Sequence, residues 1–197
     1  MPGRYRPPVT GPRYRFELLS EVHLLDNFKC EYTFLSIFLR DRALQEAQED
    51  LSRTHVLLDT DGPPENSVVG YFTLRADSIS YTPRGGKFIS LPVIEIAYLA
   101  RHIQRKGRTL WGIGPALLIE ALRQSEFVSR HIGVKAIRLS YTDAGKSLYE
   151  DYGFAEHPYG DGWLLLPIAD VRALLADEDA LYLSAIPSFQ KSTDEAE

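Results

Sequence analysis

The spacing of apolar residues changes several times along this chain, and each change marks an element. Tyr14-Arg15-Phe16-Glu17-Leu18-Leu19 alternates apolar with polar, which predicts a first strand. From about Tyr32 to Leu51 the residues Phe34, Leu35, Phe38, Leu39, Ala43 and Leu44 recur at helical spacing, with charges on the other face. This predicts one or two amphipathic helices. His55–Asp59 reads as a strand, stops at the turn-rich Asp61-Gly62-Pro63-Pro64-Glu65-Asn66 and is followed by a second strand at Val68–Leu74. The two are antiparallel if the turn is tight. Gly85-Gly86 then interrupts the chain before the β-rich run Ile94–Ala100. Pro115 to about Phe127 predicts a helix, with proline at a tolerated first-turn position. Lys135–Tyr141 predicts a strand, and Asp143 is the expected N-cap of a helix closed by Gly153. Trp163–Pro167 is the last predicted strand and Ile168–Ala176 a short closing helix. Strand, helix, several strands, then helix, strand, helix, strand describes one α/β (α+β) domain on a mixed sheet.

Composition sets the class around that pattern. At 197 residues, with 44% apolar and 25% charged, the chain suits one soluble globular domain. Residues 1–13 hold four prolines and two glycines and are expected to be a flexible basic tail; 14–186 form the domain; 187–197 are a polar, disordered tail. A single cysteine, Cys30, excludes an internal disulfide framework and fits a reducing cytoplasm, where Cys30 reads as a small buried residue. No apolar run suits a signal peptide or a membrane span. Net charge is −5, with Arg4, Arg6, Arg13 and Arg15 at one end and six acids against Lys191 from Asp177 onward. The mildly acidic body between them argues against a broad nucleic-acid surface.

Candidate chemistry concentrates in three places. Trp111-Gly112-Ile113-Gly114-Pro115 runs straight into a helix, and a helix N-terminus offers unpaired amides and a positive dipole end to a phosphate or pyrophosphate. Glu95 is an acid inside an apolar strand: either a proton acceptor tuned by burial, or a strand-face glutamate in water or paired with an arginine. Tyr149, in Tyr149-Glu150-Asp151-Tyr152-Gly153-Phe154, puts a phenol near a helix end, as a proton donor or as core packing. The five histidines show no ligand spacing and no cysteine partner, so no metal is expected.

Together these segments resemble the GNAT superfamily of N-acetyltransferases from about Phe16 to Pro167, most densely at Glu95–Ala100, Gly112–Leu118 and Tyr149–Phe154. The resemblance implies a single GNAT-like domain with a mixed, mostly antiparallel sheet flanked by helices. It implies acetyl-CoA as co-substrate, a loop at Gly112 and Gly114 for its pyrophosphate, and Tyr149 as general acid. Glu95-Ile96-Ala97-Tyr98-Leu99-Ala100 is similar to the strand whose glutamate is the base in histone-type members. Leu99, Ala100 and Arg101 fall where the family's strand splays and pairs with the pantetheine arm. The rest of the implied cofactor segment is Arg108, Thr109, Leu110, Trp111, Ile113 and Pro115. Thr109 stands where the family has arginine or glutamine, which makes the adjacent Arg108 the candidate cationic contact. Gln104-Arg105-Lys106-Gly107 can be read as a shifted version of the motif, but it lacks a second small residue other than Thr109, and the helix pattern starts directly behind Gly112 and Gly114. His102, Arg105 and Lys106 form a basic cluster that either meets the cofactor's 3′-phosphate or is solvated.

Nearer the N-terminus, Phe28-Lys29-Cys30-Glu31, Phe38-Leu39-Arg40 and Ser52-Arg53-Thr54-His55-Val56 are similar to the opening of GNAT toxins of bacterial toxin–antitoxin modules, which acetylate aminoacyl-tRNA. The implied function is transfer of acetyl from acetyl-CoA to a primary amine by direct attack. The acceptor is a small molecule, a protein amine or aminoacyl-tRNA. The toxin reading adds an antitoxin partner. A non-catalytic CoA-binding or interaction module and a homodimer also stay open, in a cytoplasmic protein without membrane contact.

Overall fold

In the computed structural model, residues 13–64, 67–82, 85–103, 112–156 and 162–184 are described. The expectations for residues 1–12 and 185–197 fall outside them, as do those for Arg108, Thr109, Leu110, Trp111 and the Gln104–Gly107 segment.

Strands β1 (Tyr14–Leu18), β2 (Arg53–Asp59), β3 (Val68–Tyr81) and β4 (Ile89–Arg101) pair antiparallel in succession. β5 (Ala136–Ser140) lies parallel to β4, and β7 (Trp163–Pro167) is antiparallel to β5. The two-residue β6 (Ala155–Glu156) closes the far edge, giving the order β1-β2-β3-β4-β5-β7-β6. The parallel β4–β5 step needs a crossover, which α3 (Ile113–Ser129) supplies.

Successive strand residues point to opposite faces, and the two cores sort accordingly. Leu57 and Phe72 join α3 residues Leu117, Leu118 and Leu122, with Val171 and Leu175 of α5 (Ile168–Ser184). Their neighbours Val56 and Tyr71 instead meet Leu35, Phe38 and Leu39 of α1 (Thr33–Asp41) and Ala43 of α2 (Ala43–Gln48). The sheet is therefore covered on both faces, as the mixed α/β pattern requires.

Four details differ from the sequence expectations. The β3–β4 hairpin extends past the apolar runs, because pairs such as Ser78↔Pro92 and Ser80↔Ser90 continue the ladder without needing burial. The N-cap of α4 (Asp143–Asp151) is Thr142, and Asp143 is the first helical residue, where its charge still faces the positive dipole end. α5 runs on to Ser184, with Arg123 of α3 pairing Asp179 at 2.7 Å across the two helices. Arg13, assigned to the tail, donates from Nε and a terminal nitrogen to the buried Asp59 at 2.9 and 2.8 Å. Gly153 does occupy the left-handed region, at φ 86°, just beyond α4.

Candidate active site

One irregularity in β4 creates the site. Thr73 of β3 pairs with Tyr98 and Leu74 with Ile96, which leaves Ala97 as an extra, bulged residue. The bulge flips the alternation: Ile94 and Ile96 face α3, but so does Leu99, while Tyr98 and Ala100 turn to the α1 side. Pairing with β5 ends at the same place, Ile96↔Leu139 being the last parallel pair. From Tyr98 to Arg101 β4 is paired on the β3 side only, so the sheet opens in its middle. The cleft there, about 500 Å³, is lined by Ala97–Arg101 on one wall and Ser140, Tyr141 and Thr142 on the other.

α3 begins at the head of this cleft. Gly112, its N-cap, sits at φ 86°, a conformation suited to glycine, and makes no side-chain cap. The first helical bond is the Ala116 amide to the Gly112 carbonyl at 2.9 Å. Pro115 has no N–H to satisfy, so Ile113 and Gly114 carry the unpaired first-turn donors, without a protein acceptor among the described residues. Gly114 lines the cleft, and a Cβ there would lie 3.4 Å from Leu148 Cδ2, so α3 and α4 meet at this point.

Tyr149 follows Leu148 into the cleft. It is only 7% exposed, its ring lies edge-on to Phe154 at 6.1 Å, and burial pushes its phenol up to about 12. Gly145, one turn earlier, leaves room for that ring: a Cβ there would stand 3.3 Å from Tyr149 Cε2. A phenol so placed keeps its proton at neutral pH and can give it only to a group that enters the cleft.

Glu95 lies on the cleft floor, 4% exposed. It is flanked in register by Arg75 of β3 and Arg138 of β5, and both donate to it: Arg75 from Nε to Oε2, Arg138 from a terminal nitrogen to Oε1 at 3.3 Å. The pairing with arginine weighed in the sequence is thus present, twice. Each oxygen still has a lone pair beyond its guanidinium bond.

Of the expected site residues, Glu95, Leu99, Ala100, Arg101, Gly114 and Tyr149 line one cavity. Ile113 is buried in the core, its amide at the helix start. His102 is drawn away from a phosphate role: its Nε2 lies 3.0 Å from the Asn27 carbonyl, and its ring packs edge-on against Phe28. Sequence reasoning missed Arg75, Tyr98 and the aromatic wall of Tyr32 and Phe34, whose rings are 6.1 Å apart. An arginine directly after the run Val68–Leu74 carries no signal until register places it opposite Glu95. Among the described residues no His, Cys, Asp or Glu group could hold a metal ion.

A sheet of this order, opened at its parallel pair over a helix N-terminus, is a GNAT-like fold, and solved structures share it. The toxin AtaT, solved as a Tyr-to-Phe mutant, matches with a TM-score of 0.75 at 18% identity, over 86% of this chain and 97% of its own. AtaT complexed with acetyl-methionyl-tRNAfMet gives 0.70 at 19%, over 82% and 98%. A Tyr-to-Phe mutant of KacT gives 0.70 at 17%, over 82% and 99%. The AtaT mutant has also been solved bound to the C-terminus of the antitoxin AtaR and acetyl-CoA. No family model matches the chain. No described helix is long and apolar enough to cross a membrane.

Proposed function

We propose that the chain is an acetyl-CoA-dependent N-acetyltransferase that acetylates a primary amine by direct attack. One observation carries this reading: the unpaired edge of β4, the free amides at the start of α3 and the buried phenol of Tyr149 converge on one cleft. The acetyl-CoA complex of AtaT, which shares the fold, supports the cofactor. The amides of Ile113 and Gly114 receive the pyrophosphate, where a side chain in place of the glycines would stand in the way. Leu99, Ala100 and Arg101 offer their open backbone to the pantetheine arm, as to an added strand. Arg108, Thr109, Leu110, Trp111 and Pro115 complete the cofactor segment on the strength of sequence alone.

The amine nitrogen forms its bond to the thioester carbon as the carbon–sulfur bond breaks. Tyr149 hands its proton to the departing sulfur. The proton lost by the amine goes to Glu95, the buried carboxylate among the lining residues, directly or through a water on a free lone pair. Glu95→Gln is then expected to slow the reaction at neutral pH and reshape the acidic limb of the pH–rate profile. An unaltered limb leaves Glu95 with its arginines alone.

A second reading names the acceptor: the chain is a toxin acting on aminoacyl-tRNA and restrained by an antitoxin. The AtaT complexes with acetyl-methionyl-tRNAfMet and with AtaR support it. The deciding measurement is thiol release from acetyl-CoA with charged tRNA and with a panel of amines. Tyr149→Phe should lower kcat by roughly 10²–10⁴-fold with acetyl-CoA affinity intact. Binding without thiol release for any acceptor would favour a non-catalytic CoA-binding module. Growth arrest on expression, relieved by Tyr149→Phe, would favour the toxin.

A further inference from the structure

The charged ladder across the cleft floor is asymmetric. Glu95 is shared by two guanidiniums, but they are used differently. Arg138 turns both terminal nitrogens to the protein: one bonds Asp77 at 2.8 Å, the other bonds Glu95, and its face lies over the Trp163 ring at 4.3 Å, while its Nε is buried without an acceptor among the described residues. Arg75 bonds Glu95 through Nε alone, and its two terminal nitrogens have no acceptor among the described residues. Its side chain is 44% exposed and lines the cleft beside Tyr98. An arginine anchored at its inner N–H and open at its outer edge is a preorganised fork for a carboxylate or a phosphate. The surroundings do not repel such a group, since Glu95 and Asp77 are each offset by a guanidinium. Glu31, which also lines the cleft, is exposed and screened by water.

From this geometry we infer that Arg75 selects the acceptor, binding an anionic oxygen group, phosphate or carboxylate, that the acceptor carries near its amine. Glu95 positions Arg75 for that contact. The inference rests on the acetyl-transfer reading of the same cleft and adds the acceptor's chemistry to it. An amino acid would present its carboxylate. An aminoacyl ester has none to offer, so a nucleotide acceptor would present a phosphate instead.

Two matched acceptor pairs separate these sources: an amino acid against its amide, and an amide-linked aminoacyl-adenosine against its 5′-phosphate. The wild-type enzyme should favour the charged member of one pair by about tenfold or more in kcat/KM, chiefly through KM, as a charge-assisted contact does. Arg75→Gln should bring that ratio close to one, and Arg75→Lys, which keeps the charge but not the fork, should retain part of it. Glu95→Gln should also reduce the ratio by freeing Arg75. Unchanged acetyl-CoA affinity, measured by calorimetry, shows that each variant is folded. A wild type indifferent to charge in both pairs, or an Arg75→Gln variant with the wild-type ratio, overturns the inference. If no acceptor is turned over, acetyl transfer fails instead, and calorimetric binding of the four acceptors still reads the preference for or against Arg75.

Discussion

At the scale of single residues, the burial of Tyr149 has a consequence that can be measured apart from catalysis. Its ordinary phenol value is about 10, and in the fold it rises to about 12 because burial disfavours the phenolate. Below pH ~10 both folded and unfolded chains hold the proton, so the group adds no pH dependence. Between about 10 and about 12 the unfolded chain ionises first, and stability falls by up to about 3 kcal/mol. Urea unfolding at pH ~8 and pH ~11 should show this loss in the wild type and a smaller one in Tyr149→Phe. Equal losses would mean that the phenol is not buried as described. Its environment also explains why Tyr149, and not Tyr152 three residues on, faces the cleft: Tyr149 follows Leu148 toward Gly114, whereas Tyr152 is half-buried on the core.

Among the elements, the seating of α3 on β3 controls the cofactor end of the cleft. Gly70 has no room for a side chain: a Cβ there would lie 2.8 Å from Leu117 Cδ1 and 3.2 Å from Ile113 Cγ2. Gly70→Ala therefore forces a shift where β3 meets α3, in the Leu117 and Ile113 side chains or in the helix itself. It should cost about 1–3 kcal/mol of stability, as overpacking does, and weaken acetyl-CoA binding together with it. Calorimetry and urea unfolding on one variant test the link, and lost stability with unchanged affinity would break it. Much at this scale was legible in the chain. The glycines before Pro115 predicted a helix start with open amides, and the start at Ile113 agrees. The bulge at Ala97 was not legible, because alanine sits in the run Ile94–Ala100 with no local mark of an unpaired residue.

For the molecule as a whole, α5 is held to α3 by Val171 and Leu175 in the core and by an ionic clasp at the rim. Glu126 of α3 accepts from Arg130 at 2.8 and 2.9 Å and from Arg172 of α5 at 3.3 Å. Arg130 first, then Arg172, hold its carboxyl below the usual carboxylate range. A lowered folded value means that the clasp is present above the ordinary glutamate value and is lost as pH falls through the folded one. Glu126→Gln should therefore be less stable than wild type near neutral pH, with the gap closing in acid. Hydrogen exchange along α5 should rise in the variant at pH ~7 and match wild type in acid. A gap that does not vary with pH would assign the effect to packing.

The order of elements, the covered mixed sheet and the separate candidacies of Glu95, Gly114 and Tyr149 were determined by the sequence, because periodicity and helix-end chemistry are local properties. Two things belonged to the tertiary structure. The bulge at Ala97 ended the β4–β5 ladder and turned Tyr98 to the side of Glu95, which opened the cleft. Strand register then set Arg75 and Arg138 on either side of Glu95, residues far apart in the chain. A lone glutamate in an apolar strand announces that it needs a partner, since an unpaired buried charge is costly. Which partners it finds, and which of them keeps donors free for a substrate, depends on neighbours that only the assembled sheet brings together.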